Sequence, residues 1–359
     1  MTVHRTTLWK APGKGDPIML PLPDAGTTAP LVDGLGRRIS YLRLSVTDRC
    51  NFRCSYCMAE DPDFLAHSDL LTLEELARLS DLFMARGVRR IRLTGGEPLV
   101  RRNVLTLISL LGDAVGQGRL DEVTLTTNGS LLSRFAPALA KAGVRRINVS
   151  LDSMRPEVFR AISPRGRLED VLAGITAARQ AGLSVKLNTV LQKGVNDAEV
   201  PDLMAWAHDR GMDMTLIEVM PVGRIGVDRA AQHLSLAAFE QHLAQRFTLI
   251  PSRHRSGGPA RYVTVAETGG RLGFITPLSH SFCEGCNRVR LSCTGTLYTC
   301  LGHEGAVELR GALRGSEGNA AVAALIDGAV AAKPRGHDFV IGRSDAFAAV
   351  GRGMNVTGG

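Results

Sequence analysis

Residues 43–58, RLSVTDRCNFRCSYCM, join the end of an apolar run to three cysteines, Cys50, Cys54 and Cys57. The preceding RISYLRLSV (38–46) reads as a β-strand, so the thiols fall in the loop at its C-terminal end. Parallel α/β sheets place their sites there. Zinc usually takes four ligands and a disulfide takes two. Three thiolates suit a four-iron cubane with one iron left open to an outside chelator. A zinc site that borrows a fourth ligand, such as His67, is the competing reading.

Outward from this stretch the chain keeps a steady rhythm. TLEELARLSDLFMARG (72–87) reads as an amphipathic helix, with Thr72 as N-cap, Glu75 completing a capping box and Gly87 closing it. VRRIRLTGG, EVTLTTNG, VRRINVSLD, SVKLNTVLQ and MTLIEVMPV are strand-like. Helical segments lie between them near 101–117, 131–142, 155–181 and 197–209. Alternation at about 30 residues implies right-handed βαβ units and a parallel sheet. A closed eight-stranded barrel typically needs ~250 residues. Six units between about 39 and 220 therefore predict an α/β fold, an incomplete (β/α)6 TIM-like barrel over 37–222. The pattern changes after 222, and a C-terminal lobe is expected over 223–359. Residues 1–36 are rich in Gly and Pro without a sustained period and read as a mobile extension.

The 359 residues are 44% hydrophobic, carry a formal charge of +8 and include only 5% aromatics. The low aromatic content argues against nucleic-acid binding by base stacking. No apolar run reaches the ~20 residues of a membrane span, and the N-terminus lacks a signal-peptide pattern. A cytoplasmic protein without a membrane partner is expected. Seven cysteines in a reducing compartment favour metal binding over disulfides.

Polar residues recur near the strand ends: Thr126, Thr127 and Asn128, Ser150 and Asp152, Lys186 and Asn188. Gly95 and Gly96 of RLTGGEP allow backbone to approach a ligand closely. A second cysteine set, Cys283, Cys286, Cys293 and Cys300, admits two readings. Four thiolates would close a zinc site. Cys283, Cys286 and Cys300 would hold a second open cubane and leave Cys293 free. No Walker-type phosphate loop occurs, so a phosphorylated ligand would have to be met by Arg and Lys side chains.

The C-x3-C-x2-C spacing resembles that of the radical S-adenosylmethionine superfamily. YLRLSVTDRCNFRCSYCM, RLTGGEPL, TTNG, INVSLDS, CNRVRLSCTGTLYTCL and the final Gly-Gly resemble the GTP 3′,8-cyclase family, from about Ile39 to the C-terminus. The resemblance implies two [4Fe-4S] clusters, at Cys50, Cys54 and Cys57 and at Cys283, Cys286 and Cys300. It implies S-adenosylmethionine lined by Tyr56, Gly96, Ser150 and Met220. GTP would be bound by Arg43, Arg92, Thr126, Lys186, Arg288 and Arg290. The terminal Gly358 and Gly359 would assist the radical step. The implied activity is cyclisation of GTP to (8S)-3′,8-cyclo-7,8-dihydroguanosine 5′-triphosphate, which opens molybdenum cofactor synthesis. Implied partners are a reducing electron donor, a second copy in a homodimer, and the cyclic pyranopterin monophosphate synthase that takes the product.

Overall fold

The structure is a computed structural model and describes residues 29–223, 225, 228–340 and 350–358. Six strands run parallel in sequence order: β1 (Tyr41–Ser45), β2 (Arg90–Thr94), β3 (Glu122–Thr127), β4 (Arg146–Ser150), β5 (Ser184–Leu191) and β6 (Asp213–Glu218). Helices α1 (Leu73–Ala85), α2 (Val104–Gly116), α3 (Leu132–Lys141), α4 (Pro156–Ile162), α5 (Leu168–Gln180) and α6 (Val200–Asp209) connect them. The capping box of α1 is formed: Glu75 N donates to Thr72 Oγ1 at 3.1 Å, and Thr72 N donates to Glu75 Oε2 at 2.8 Å.

One expected helix is two. Pro164 and Gly166 interrupt 155–181 between α4 and α5. Proline disfavours helical backbone at the residue before it, and Ser163 leaves the helix at φ −130° and ψ 76°.

The sheet does not close. β7 (Leu249–Ser252), β8 (Arg261–Val265) and β9 (Arg271–Ile275) extend it from β6, with β9 parallel to β6. β10 (Arg288–Leu291) lies parallel beside β1, followed by the antiparallel β11 (Thr296–Tyr298) and β12 (Ala306–Glu308). The result is one open twelve-stranded sheet. The C-terminal lobe therefore continues the barrel sheet at both edges rather than forming a sheet of its own.

Strand parity explains what the barrel encloses. Leu42, Leu44, Ile91, Leu93, Val123, Leu125, Ile147, Val149, Val185 and Leu187 are buried and belong to one core cluster with the helices. Each such side chain contributes about 1.5–3 kcal/mol. The alternate residues are polar: Arg43, Arg92, Thr124, Thr126, Asn148, Ser150, Lys186 and Asn188. The ladder aligns them, pairing Arg43 with Arg92, Arg92 with Thr124, Thr126 with Asn148, and Asn148 with Lys186. Since side chains alternate between faces, these share the inner face. The interior is thus a polar channel, not a packed core.

The N-terminal boundary also shifts. Within the segment expected to be an extension, residues 29–36 are packed against the barrel. Leu31 is buried, its N–H donates to Arg86 O at 3.0 Å, and Val32 bridges Arg38. An apolar residue at 31 and the Asp33–Arg37 ion pair (2.6 Å) hold what composition alone had assigned to solvent.

Candidate active site

The first three thiols sit on the C-terminal mouth of the barrel. Phe52 N donates to Cys50 Sγ at 3.4 Å, and Asn128 Nδ2 from the β3 loop approaches the same sulfur at 3.8 Å. Cys54 Sγ lies 2.9 Å from Ser163 Oγ. Arg53 turns back to donate to the carbonyls of Cys50 and Phe52, both at 2.8 Å, and so fixes the loop. Tyr56 donates its hydroxyl to Asp152 Oδ2 at 2.8 Å.

The GGEP turn packs directly under this loop. Gly96 N donates to Thr47 O and Glu97 N to Arg49 O, both at 2.9 Å. A Cβ on Gly96 would strike the Asp48 and Arg49 carbonyls. Gly95 holds φ +147°, which favours glycine. Glu97 is fully buried and ties the next strand in: its carboxylate accepts from Asn128 N (2.7 Å), Thr127 Oγ1 (2.9 Å) and Leu99 N (3.0 Å).

Burial pushes the first thiols up, Cys50 to about 11 and Cys57 to about 12, with neighbouring acids and thiols adding to it. Cys54 moves the same way, from burial first and then Cys57. They are protonated at neutral pH until a metal displaces the protons.

The second set lies at the opposite mouth. Cys286 stands two residues before β10, which runs parallel to β1, so it falls at the strands' N-terminal end. Cys300 follows the antiparallel β11 and returns to that end. Cys293 follows β10 and lies at its far end, ~13 Å away at ~3.3 Å per residue. Cys293 is fully buried, and its neighbours are Asp48 and Ser45 rather than another thiol. A closed four-thiolate zinc site is therefore not assembled. His67 is exposed. Among the described residues no three His, Cys, Asp or Glu side chains converge on one ion-sized point, so neither triad forms a single-ion site as it stands.

Cations surround the second set. Arg37 Nη1 donates to Cys283 O at 2.8 Å, and Lys333 donates to Arg288 O (3.2 Å) and to Thr299 O. A hydrogen bond from His337 holds Cys283 down at about 6 against its burial. Burial raises Cys286, but Lys333 and Arg288 outweigh it and the net shift is downward.

The channel between the mouths carries Arg43, Arg92, Arg288 and Arg290. Burial and mutual repulsion lower Arg43 and Arg290. Among the described residues, Arg43 Nε and Nη2, Arg92 Nε, Arg288 Nε, Thr126 Oγ1 and Asn188 Oδ1 are buried without a hydrogen-bond partner. Orphaned buried polar atoms are costly, and all of these but the Asn188 oxygen are able to donate. Their concentration here suits an anionic, polar ligand. Ser150 is half-buried at the end of β4, and Met220 is half-buried beyond β6, beside Val222 and Val350.

Lys186 sits lower than its sequence context suggested. It is the third residue of β5, level with Asp213 at the start of β6, and not at a strand tip. It lines a cavity of about 500 Å³ at the barrel floor with Arg90, Arg146, Arg271 and His254. Burial, then Arg92 and Arg146, lower it to about 7. Gly358 O accepts from Arg290 Nη1 at 2.8 Å, so the C-terminal tail does enter the channel. Gly359 lies outside the described residues.

Residues 44–207 match the Radical SAM superfamily, and residues 212–339 match Molybdenum Cofactor Synthesis C. A GTP 3′,8-cyclase of Rhizobium meliloti is 60% identical over 333 residues, covering 93% of this chain and 95% of the relative. That of Mesorhizobium japonicum is 59% identical over 92% and 99% of the two chains. The chain belongs to the GTP 3′,8-cyclase family. Among solved structures, Streptococcus suis SuiB bound to S-adenosylmethionine superposes with a TM-score of 0.55 at 15% identity, over 74% of this chain and 61% of that one. This likeness concerns the barrel fold that the cyclase family shares. No helix of the described residues is long and apolar enough to cross a membrane.

Several residues that build this site went unread in the sequence. Glu97 stood within the GGEP motif yet gave no sign that it grips the β3 loop. Arg37 and Lys333 act on carbonyls far away in the chain, which no local pattern reports.

Proposed function

We propose that the chain is a radical S-adenosylmethionine GTP 3′,8-cyclase whose substrate spans the polar channel between two clusters. Cys50, Cys54 and Cys57 would hold the first [4Fe-4S] cluster, and Cys283, Cys286 and Cys300 the second. A cluster held at the first triad would supply the electron needed to cleave S-adenosylmethionine. Tyr56, Gly96, Ser150 and Met220 would line its site: the bare Cα of Gly96 lets its turn pack on the Asp48 and Arg49 carbonyls of the cysteine loop, and Asp152 fixes the Tyr56 ring.

Arg43, Arg92, Thr126, Lys186, Arg288 and Arg290 bind GTP. The unpartnered donors of Arg43, Arg92, Arg288 and Thr126 are free to meet the phosphates, and Lys186, which donates to Tyr262 Oη at 3.2 Å, faces the floor cavity, where Arg90 adds charge. Gly358 and Gly359 complete the reacting end. The product passes to the cyclic pyranopterin monophosphate synthase. A reducing donor, a homodimer and a cytoplasmic setting belong to the same reading.

The observation that carries it is the row of orphaned guanidinium groups between two three-thiol loops. Anaerobic reconstitution tests it. About eight irons per chain are expected for two cubanes, with 5′-deoxyadenosine formed as GTP is consumed. Formation of 5′-deoxyadenosine with GTP untouched would refute the substrate.

A further inference from the structure

Residues 350–358 contact the loop after β6 and the loop after β11, on opposite sides of the six-stranded barrel. On the β6 side Val350 bridges Val222, and Gly223 N donates to Val350 O at 2.9 Å. On the β11 side Arg352 Nη2 donates to Leu301 O at 2.6 Å and to Cys300 O at 3.2 Å. Its Nη1 pairs with Glu304 Oε2 at 2.8 Å, and the guanidinium lies 4.2 Å over the Tyr298 ring. The Arg352 side chain is only 7% exposed. Three residues on, Asn355 Nδ2 donates to Asp48 O at 3.1 Å, in the loop that leads to Cys50. The chain then runs through the buried Thr357 to Gly358, which rests against Thr94 and is held by Arg290.

We propose that Arg352 and Asn355 are positioning residues, two latches that seat Gly358 in the channel, one on each cysteine loop. Arg352 reads the loop bearing Cys300, and Asn355 reads the loop bearing Cys50. A chain terminus frays unless it is tied down. A guanidinium fork that meets two carbonyls and a carboxylate at once fixes direction as well as distance. Through Arg352 the terminus takes its seat only when the Cys300 loop is in place. The tail thereby couples order at the second triad to events at the first. The proposal rests on the reading that the terminal glycines act within the channel.

The test uses the full chain, reconstituted anaerobically, with Arg352→Ala, Asn355→Ala and Arg352→Lys beside the wild type. Three quantities are read: iron content, GTP consumed per 5′-deoxyadenosine formed, and backbone hydrogen exchange over 350–358. Both alanine variants should keep their iron. They should lower the GTP-to-5′-deoxyadenosine ratio at least tenfold and speed exchange in the tail alone. Arg352→Lys, which keeps the charge but loses the fork, should fall between. Wild-type coupling and exchange in both alanine variants would overturn the latches. So would loss of iron in Arg352→Ala, since Arg352 would then serve only to hold the cluster loop. A wild type that cleaves S-adenosylmethionine without consuming GTP overturns the functional reading itself, and slow tail exchange would still stand as evidence for the latches.

Discussion

Arg43 and Arg290 are direct partners across the β1–β10 ladder, so two buried guanidinium groups share one step of the sheet. Burial first and then Arg290 lower Arg43's hold on its proton, while burial and Arg288 lower that of Arg290. Like charges so placed cost on the order of 1 kcal/mol or more in a medium less polar than water. Arg43→Met should leave the ligand-free protein as stable as before, or raise its melting temperature by a few degrees at low salt. The stabilisation that inorganic tripolyphosphate gives the wild type should largely vanish. A clear fall in melting temperature without ligand would mean that the charge is satisfied inside the protein.

The two triads should be separable by iron counting. Cys50→Ala and Cys286→Ala should each reduce iron from about eight to about four per chain. Cys50→Ala should abolish 5′-deoxyadenosine, whereas Cys286→Ala should still release it without GTP turnover. Cys293→Ser should keep all its iron and cost about 1 kcal/mol or less, because Ser45 and Asp48 stand beside the buried hydroxyl. Iron loss in Cys293→Ser would bring that residue into the metal site.

Lys186 makes anion binding depend on pH. Its pKa in the free protein is about 7, against an ordinary value of 10.5, so much of it is neutral at pH 8. A phosphate beside it would raise that pKa, so binding takes up a proton. Affinity for GTP should be greatest below pH 7 and weaken by up to about tenfold per unit above it. In the free protein the sign is reversed. Between about 7 and 10.5 the unfolded chain binds the proton that the folded chain refuses, so stability rises with pH through that window. Lys186→Met should flatten both profiles, as read by calorimetric titration and by chemical denaturation.

Glu97 should matter more to the cysteine loop than its distance from any reacting atom implies. Glu97→Ala strands three donors, on Asn128, Thr127 and Leu99, and should cost roughly 3 kcal/mol of stability. Burial raises its pKa from 4.5 to about 7 despite those donors. The folded state therefore binds a proton that the unfolded state releases, and stability falls as pH climbs from about 4.5 to 7. Glu97→Gln should remove that slope at a smaller cost. An unchanged slope in denaturation curves would assign it to another group.

The barrel was legible because its signals are local. Each strand reads from a few alternating residues, and each helix from its caps and period. The two cysteine loops carry their own spacing. The placement of Lys186 was not legible, because its height in the barrel depends on register with β4 and β6, which a single strand does not encode. Sequence spacing left open whether Cys293 joins Cys283, Cys286 and Cys300. The direction of β10 separates them, and that direction follows from pairing with β1 almost 250 residues earlier. The packing of Leu31 was hidden in a Gly- and Pro-rich context whose composition outweighed a single apolar side chain.

The triads at opposite mouths make the barrel a calliper. β1 is five residues long, so the two ends of the strand that separates the jaws stand ~16 Å apart. A small metabolite can rest on one jaw but cannot touch both. Strand length thus sets the least span of any molecule that would reach both jaws, ahead of any individual contact.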